Sequence, residues 1–266
     1  MRKSITFIFY LLFVVSLGAQ DLSQDFKNWY LFSTNLRFSK TSSVTIGHLS
    51  SFDVEDYQHK FIQNRISYNQ KFGNQWSGSM AFSHSLIKRS TENLPYHRAD
   101  LQINHRLKWD HWRMTNSLRL EKYFPQLAKF GARAVLSNKF QYYNRKWPLR
   151  ISPFVRNQLF YYQGGEEIRY FLDEGEIGGE DGFEEENFVE SAPSGWHRYR
   201  FSLGARMRLR SNLYLTLFYT LQKEFNTGLG EFNQLHVPNE AGTSTRLSFN
   251  NYSLLGLSLA YTIKFY

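Results

Sequence analysis

Apolar and polar side chains alternate residue by residue along most of this chain. Ala99, Leu101, Ile103, His105, Leu107 and Trp109 share one face of a segment whose other face is Arg98, Asp100, Gln102, Asn104, Arg106 and Lys108. The next segment sets Trp112, Met114, Asn116, Leu118 and Leu120 against Arg113, Thr115, Ser117, Arg119 and Glu121. Further on, Leu213, Leu215, Leu217, Tyr219 and Leu221 oppose Tyr214, Thr216, Phe218, Thr220 and Gln222. A helix repeats near 3.6 residues and a strand at two, so the fold class is all-β.

Eleven strands can be placed, near 29–39, 43–53, 59–72, 76–88, 96–109, 112–124, 130–144, 148–162, 196–210, 212–225 and 250–265. Short breaks at 40–43, 73–75, 109–111, 144–148 and 211–212 alternate with longer connections near 53–58, 89–95, 125–129, 163–195 and 226–244. A soluble sandwich also alternates, but the strands are long, and Trp29, Trp76, Trp109, Trp112, Trp147 and Trp196 gather at strand ends. These features predict a single antiparallel transmembrane β-barrel with short periplasmic turns and longer extracellular loops. Bacterial barrels usually have an even number of strands. Twelve are therefore expected, the extra one from 22–28 or within 226–249, with ten as the alternative.

The two ends of the chain point to the same compartment. Arg2 and Lys3, the apolar run Ile5–Leu17 and Leu17-Gly18-Ala19-Gln20 read as a signal peptide over 1–20, too short to span a bilayer as a helix. That leaves 21–266 as the barrel domain, in the outer membrane of a Gram-negative bacterium. Leu255, Leu257, Leu259, Tyr261, Ile263, Phe265 and Tyr266 resemble the terminal signal read by barrel-assembly machinery. That machinery and outer-membrane lipid are the expected partners; nucleic acid is not. The absence of cysteine removes disulfides and thiolate chemistry. With 24 Phe and 17 Tyr the chain is not disordered, and its mean hydropathy of −0.49 does not suit a helical membrane protein.

Four stretches carry a family resemblance: the opening Trp29-Tyr30 strand, Leu118-Arg119-Leu120-Glu121 before an aromatic pair, Pro153–Tyr161 (PFVRNQLFY) and His197–Leu209 (HRYRFSLGARMRL). In these the chain resembles the predicted outer-membrane barrels grouped as domain of unknown function 2490. The resemblance implies location and architecture, and no activity or functional residue.

Candidate chemistry lies on the polar face. Arg37, Arg65, Arg98, Arg106, Arg113, Arg119, Arg150, Arg156, Arg200, Arg206, Arg208 and Arg210 alternate with apolar neighbours, with Asp100, Glu121 and Glu224 on the same face. Pointing into the lumen spares each Arg a cost of about 2–4 kcal/mol on a lipid face. Such a lumen is either a narrow pore or binding barrel for small anionic solutes or a solid interior of ion pairs with no transport. A lipid-modifying enzyme is the third reading. Its one local candidate is Phe82-Ser83-His84-Ser85, where His84 faces outward and both serines inward, and position 86 is Leu. On that ground the His-x-Ser arrangement of outer-membrane phospholipases is expected to be absent, and with it any catalytic constellation. Neither His97/His105 nor His105/His111 has a convergent carboxylate, so no metal or other cofactor is expected.

One stretch opposes the basic character of the rest. Between Gly164 and Gly195, 11 acidic residues stand against Arg169 alone. Without this segment and the leader, 29 Lys and Arg face 12 Asp and Glu. The densest part holds Asp173, Glu174, Glu176, Glu180, Asp181, Glu184, Glu185 and Glu186. As an EF-hand it has Gly178 and Glu184 in place, but its third and fifth positions are Gly175 and Ile177, without side-chain oxygens. It is expected to be an extracellular loop, either free in water or folded back as a lid onto the cationic barrel.

Overall fold

The computed structural model describes residues 25–54, 58–88, 93–144, 146–165, 168–169, 188–189, 194–227, 235, 237–238 and 245–266. The leader 1–20 and the acidic residues Asp173–Glu186 lie outside them.

The alternating segments form eleven strands: β1 Asp25–Arg37, β2 Ser42–Asp53, β3 His59–Phe72, β4 Trp76–Lys88, β5 Asn93–Trp109 and β6 Trp112–Leu127. After them come β7 Phe130–Tyr142, β8 Ser152–Gln163, β9 Gly195–Arg208, β10 Leu213–Glu224 and β11 Tyr252–Lys264. They close into one barrel, each strand beside its sequence neighbour. Closure corrects the expectations of twelve or ten strands and of a wholly antiparallel sheet, because β1 and β11 pair parallel, from Asp25↔Tyr252 to Arg37↔Lys264. Residues 25–28, where a separate strand was sought, simply lengthen β1. In 226–249 the described ladder is two residues on two, Val237–Pro238 with Thr245–Arg246, outside the barrel.

Connections segregate to two ends. The turn end carries 38–41, 73–75, 110–111, 143–151 and 209–212; the loop end carries 54–58, 89–92, 128–129, 164–194 and 225–251. Two departures stand out. Residues 125–127 continue β6, leaving a two-residue connection, whereas 143–151 is long and holds a 3-10 turn at Pro148–Arg150. Following partners sideways from Arg37 at the turn end of β1, through Asn69, Gln102 and Val135, leads to Glu224 at the loop end of β10. The strands are therefore steeply tilted, as closing a barrel of this size demands.

The alternation gives the barrel two chemically distinct walls. Outside stand exposed Phe32, Ile46, Ile66, Met80, Leu101, Leu120, Leu203, Leu217 and Leu255, with Trp76, Trp109 and Trp112 toward the turn end. Inside, Phe160, Tyr162, Tyr123, Val135 and Leu254 are fully withdrawn from water. Leu235, from the connection 225–251, joins this cluster with Leu247 and Phe249 packed beside it, so part of that connection enters the loop-end mouth. On the inner wall of β9–β11, Phe218 lies between its partners Gly204 and Gly256; a Cβ at Gly256 would strike its ring, and one at Gly204 would strike its Cβ and the Phe154 ring. Glycine there leaves room for an aromatic ring to lie flat along the strands.

The parallel seam is directly testable because the chain lacks cysteine. Ser33 and Ala260 are partners across it. A Ser33→Cys/Ala260→Cys double variant should form an intrachain disulfide on oxidation, read as faster migration in non-reducing electrophoresis. Pairing Ser33→Cys instead with Leu254→Cys, at the other end of β11, should give none.

Candidate active site

Three polar side chains meet on the apolar outer wall. β2 alternates Ile46, His48 and Ser50 outward, and β3 sets Asn64 opposite His48. The His48 ring bridges its neighbours: Nε2 is 2.9 Å from Ser50 Oγ, and Nδ1 is 2.8 Å from Asn64 Oδ1. A carbonyl oxygen can only accept, so Nδ1 carries the proton and Nε2 is left free to take the one on Ser50. A hydroxyl, an imidazole and an accepting oxygen thus stand in the order that acyl transfer would need of a nucleophile, a base and an orienting group. The neutral member follows the Cys-His-Asn variant of the triad rather than the carboxylate one.

A trough of about 450 Å³ runs beside His48 and Asn64. Its walls are mostly apolar, with Phe32, Ile46, Ile66 and Phe82 among them, and His84 closes one side. Asn64, His84 and His97 are successive partners across β3, β4 and β5, the two imidazoles 4.9 Å apart. Ser83 and Ser85 are buried on the inner wall, as alternation predicts, and Ser85 accepts a hydrogen bond from Gln63 at 3.0 Å. Neither of the serines that flank His84 therefore shares its face. The expected absence of a His-x-Ser arrangement is corrected at a different place, His48-Leu49-Ser50. The signal was legible: the intervening Leu49 puts His48 and Ser50 on one face of a strand. The partner Asn64 was not, since it depends on register between strands.

The sequence-predicted arginines divide between two halves of the interior. Toward the loop end they surround buried carboxylates. Asp100 and Glu121 are cross-strand partners, both side chains wholly shielded from water. Arg65 grips Asp100 with two nitrogens, the longer contact 2.7 Å. Glu121 has Arg133 Nε at 2.6 Å, Arg119 Nε at 2.7 Å and Arg98 at 3.5 Å, and accepts from Tyr123 at 2.9 Å. Glu224 binds Arg198 at 2.5 Å, Lys129 at 2.5 Å and the Tyr162 hydroxyl at 2.7 Å. Burial pushes the Lys129 ammonium, in its two-residue connection, below its ordinary pKa, while Glu224 pulls the other way. Arg200 donates to Gln222 at 2.6 Å and to Tyr252 at 2.7 Å.

Toward the turn end the pattern reverses. Arg106, Arg113, Arg119, Lys139, Arg156 and Arg206 line a cavity of about 300 Å³ that has no carboxylate in its wall. Arg208 sits at the rim, donating to the carbonyls of Arg210 and Ser211. Arg150 is corrected: the 3-10 turn carries it out of the sheet, exposed, so it does not face the interior. Arg133, Lys139 and Arg198 were missed: Arg133 alternates with apolar neighbours in the same way, whereas Lys139 and Arg198 each follow a polar residue, Asn138 and His197. Among the described residues no three His, Asp or Glu side chains converge as a metal site.

Compared with known proteins, the chain matches no family model and none of the curated proteins.

The buried cluster around Glu121 gives a stability test. Glu121→Gln leaves Arg98, Arg119 and Arg133 without their shared anion, and breaking such a buried pairing costs about 3–5 kcal/mol. Urea unfolding of the refolded barrel should show that loss, while Asp110→Asn, in an exposed turn, should stay within about 0.5 kcal/mol of the parent.

Proposed function

We propose that this chain is an outer-membrane β-barrel hydrolase that cleaves acyl esters of membrane lipids at its outer wall. The Ser50–His48–Asn64 triad carries the reading. Supporting the location are the continuous apolar outer wall, which a soluble protein would not leave bare, and the aromatic residues toward its ends. The leader, the apolar last strand and the resemblance to domain of unknown function 2490 belong to the same reading.

The chemistry follows from the geometry. Ser50 Oγ attacks the ester carbonyl carbon as His48 Nε2 removes its proton. Asn64 Oδ1 accepts from Nδ1–H and so holds the ring in the tautomer that can act as base. The tetrahedral species collapses, breaking the bond to the alcohol, which leaves with the proton from Nε2. Water then attacks the Ser50 acyl ester, again losing its proton to His48, and the carboxylic acid departs with Ser50 restored. Each cycle consumes one ester and one water and yields one acid and one alcohol.

Substrate class follows from the surroundings. The triad opens away from the barrel, beside an apolar trough that suits an acyl chain. Ser50 is three residues from the loop end of β2, about 7 Å of depth for a tilted strand. With the loop end extracellular, that depth meets the ester linkages of outer-leaflet lipid, which lie at the boundary between headgroup and hydrocarbon. The interior does not serve as a through-pore in this reading, because Phe160, Tyr162 and Tyr123 fill its loop-end half.

Two measurements test the proposal. Refolded barrel should release fatty acid from phosphatidylcholine vesicles, and Ser50→Ala or His48→Ala should lower the rate by about a thousandfold or more. Asn64→Ala should cost less, with KM unchanged, and His105→Ala, elsewhere on the outer wall, should behave as the parent. A fluorophosphonate should label Ser50 and no other serine, as read by peptide mass spectrometry. Unlabelled Ser50 in folded protein, or equal hydrolysis by Ser50→Ala, overturns the proposal.

A further inference from the structure

The turn-end cavity belongs to no part of the hydrolytic machinery, which lies on the opposite side of the sheet. We propose that it is a separate binding site for a small oxyanion of the phosphate type, entered from the turn end.

Charge placement is the first argument. Lys139 and Arg156 are direct cross-strand partners, and so are Lys108 and Arg113. Like charges directly opposite one another destabilise a sheet, and interior cations without counterions are costly. Elsewhere in this barrel the same problem is solved with carboxylates: Asp100, Glu121 and Glu224 each take cations of the loop-end half. No carboxylate lines the turn-end cavity. A bound anion would neutralise it.

Donor geometry is the second argument. The buried Nε atoms of Arg106 and Arg113 have no hydrogen-bond partner, although both side chains line the cavity. A guanidinium offers donors in a fixed fork that matches oxyanions bidentately. Between the cations stand neutral groups, Gln102, Thr115 and Gln158 among them, able to donate to further oxygens. Val135 is the apolar member of the wall, and the Lys139 ammonium lies 4.1 Å from the Phe154 ring centroid. The volume of about 300 Å³ admits a phosphate or a diphosphate with its hydration and excludes a polymer.

The loop-end packing makes the site one-ended, so the anion binds from the turn end and leaves by the same route. This site requires the barrel fold but not the ester chemistry, and Ser50→Ala should bind anions as the parent does.

Calorimetry on refolded barrel with inorganic pyrophosphate, in chloride buffer, tests the proposal. Binding is expected, weaker as salt rises, and Lys139→Gln/Arg156→Gln should weaken it by about tenfold or more. Heat-modifiable migration in electrophoresis establishes that each variant is folded. Should that pair not fold, Arg106→Gln/Arg113→Gln provides the same loss from the other cavity wall. Absent binding by folded parent protein, or undiminished binding by a folded variant, overturns the site. Steady current through the parent in planar bilayers would overturn its one-ended character.

Discussion

Because a strand turns its side chains alternately to its two faces, sliding any of the eleven strands by one residue would exchange its inward and outward side chains. The closed sheet leaves no edge at which such a slip could be absorbed. Register therefore holds the rest of the molecule in place. It sets Asn64 opposite His48, Asp100 opposite Glu121 and Lys139 opposite Arg156. The first pairing makes an imidazole with a defined tautomer. The second makes an anionic centre that binds four arginines, and the third leaves two cations facing each other. All three arise from the same geometric rule acting on different residue types.

Inside, the distribution of three carboxylates separates two kinds of space. Where Asp100, Glu121 and Glu224 stand, arginines converge, aromatic rings fill the gaps, and Arg133 lies 4.9 Å from the ring centroids of both Phe130 and Phe160. Such a region resists hydration because each charge already has a partner. Where no carboxylate stands, arginines remain and an open cavity persists. Two compartments in one barrel thus follow from where three acidic side chains fall along the strands.

The strands, their tight turns and the inward course of most arginines were legible because period-two patterning is a local property. The pattern places all eleven strands, and only the rule that barrels are even points to a twelfth. Closure by a parallel β1–β11 pair lies outside what patterning reports, since the pattern says which face a residue takes and nothing of strand direction. Arg150 misled for a related reason: it alternates with apolar neighbours, but a 3-10 turn over Pro148–Arg150 delays the start of β8 to Ser152. The triad divides along the same line. His48 and Ser50 share one strand, so their common face was available to inspection. Asn64, sixteen positions on in the sequence, comes alongside only through hairpin register. Leu235 is harder still, because an apolar residue in a long polar connection gives no sign that it will enter the barrel mouth.

An asparagine, rather than an aspartate, completing the triad fits its setting on the outer wall. In the proposed membrane setting, a charged carboxylate among Phe32, Ile46, Ile66 and Phe82 would sit on a surface facing hydrocarbon, where desolvation opposes the ionised form. Such an acid would tend to stay protonated, and a protonated acid can donate a proton to Nδ1 instead of accepting one. The imidazole would then be turned to the tautomer that cannot take the Ser50 proton. A carboxamide oxygen accepts at every pH and carries no charge to desolvate, so it fixes the ring at little cost. What it gives up is Coulombic support for the imidazolium that forms during attack. On the proposed reading that burden would fall on the polar boundary of the bilayer, since Ser50 lies three residues from the loop end of β2. Under the proposed function, the depth of Ser50 and the neutrality of Asn64 would both follow from one constraint, catalysis on a surface solvated by lipid.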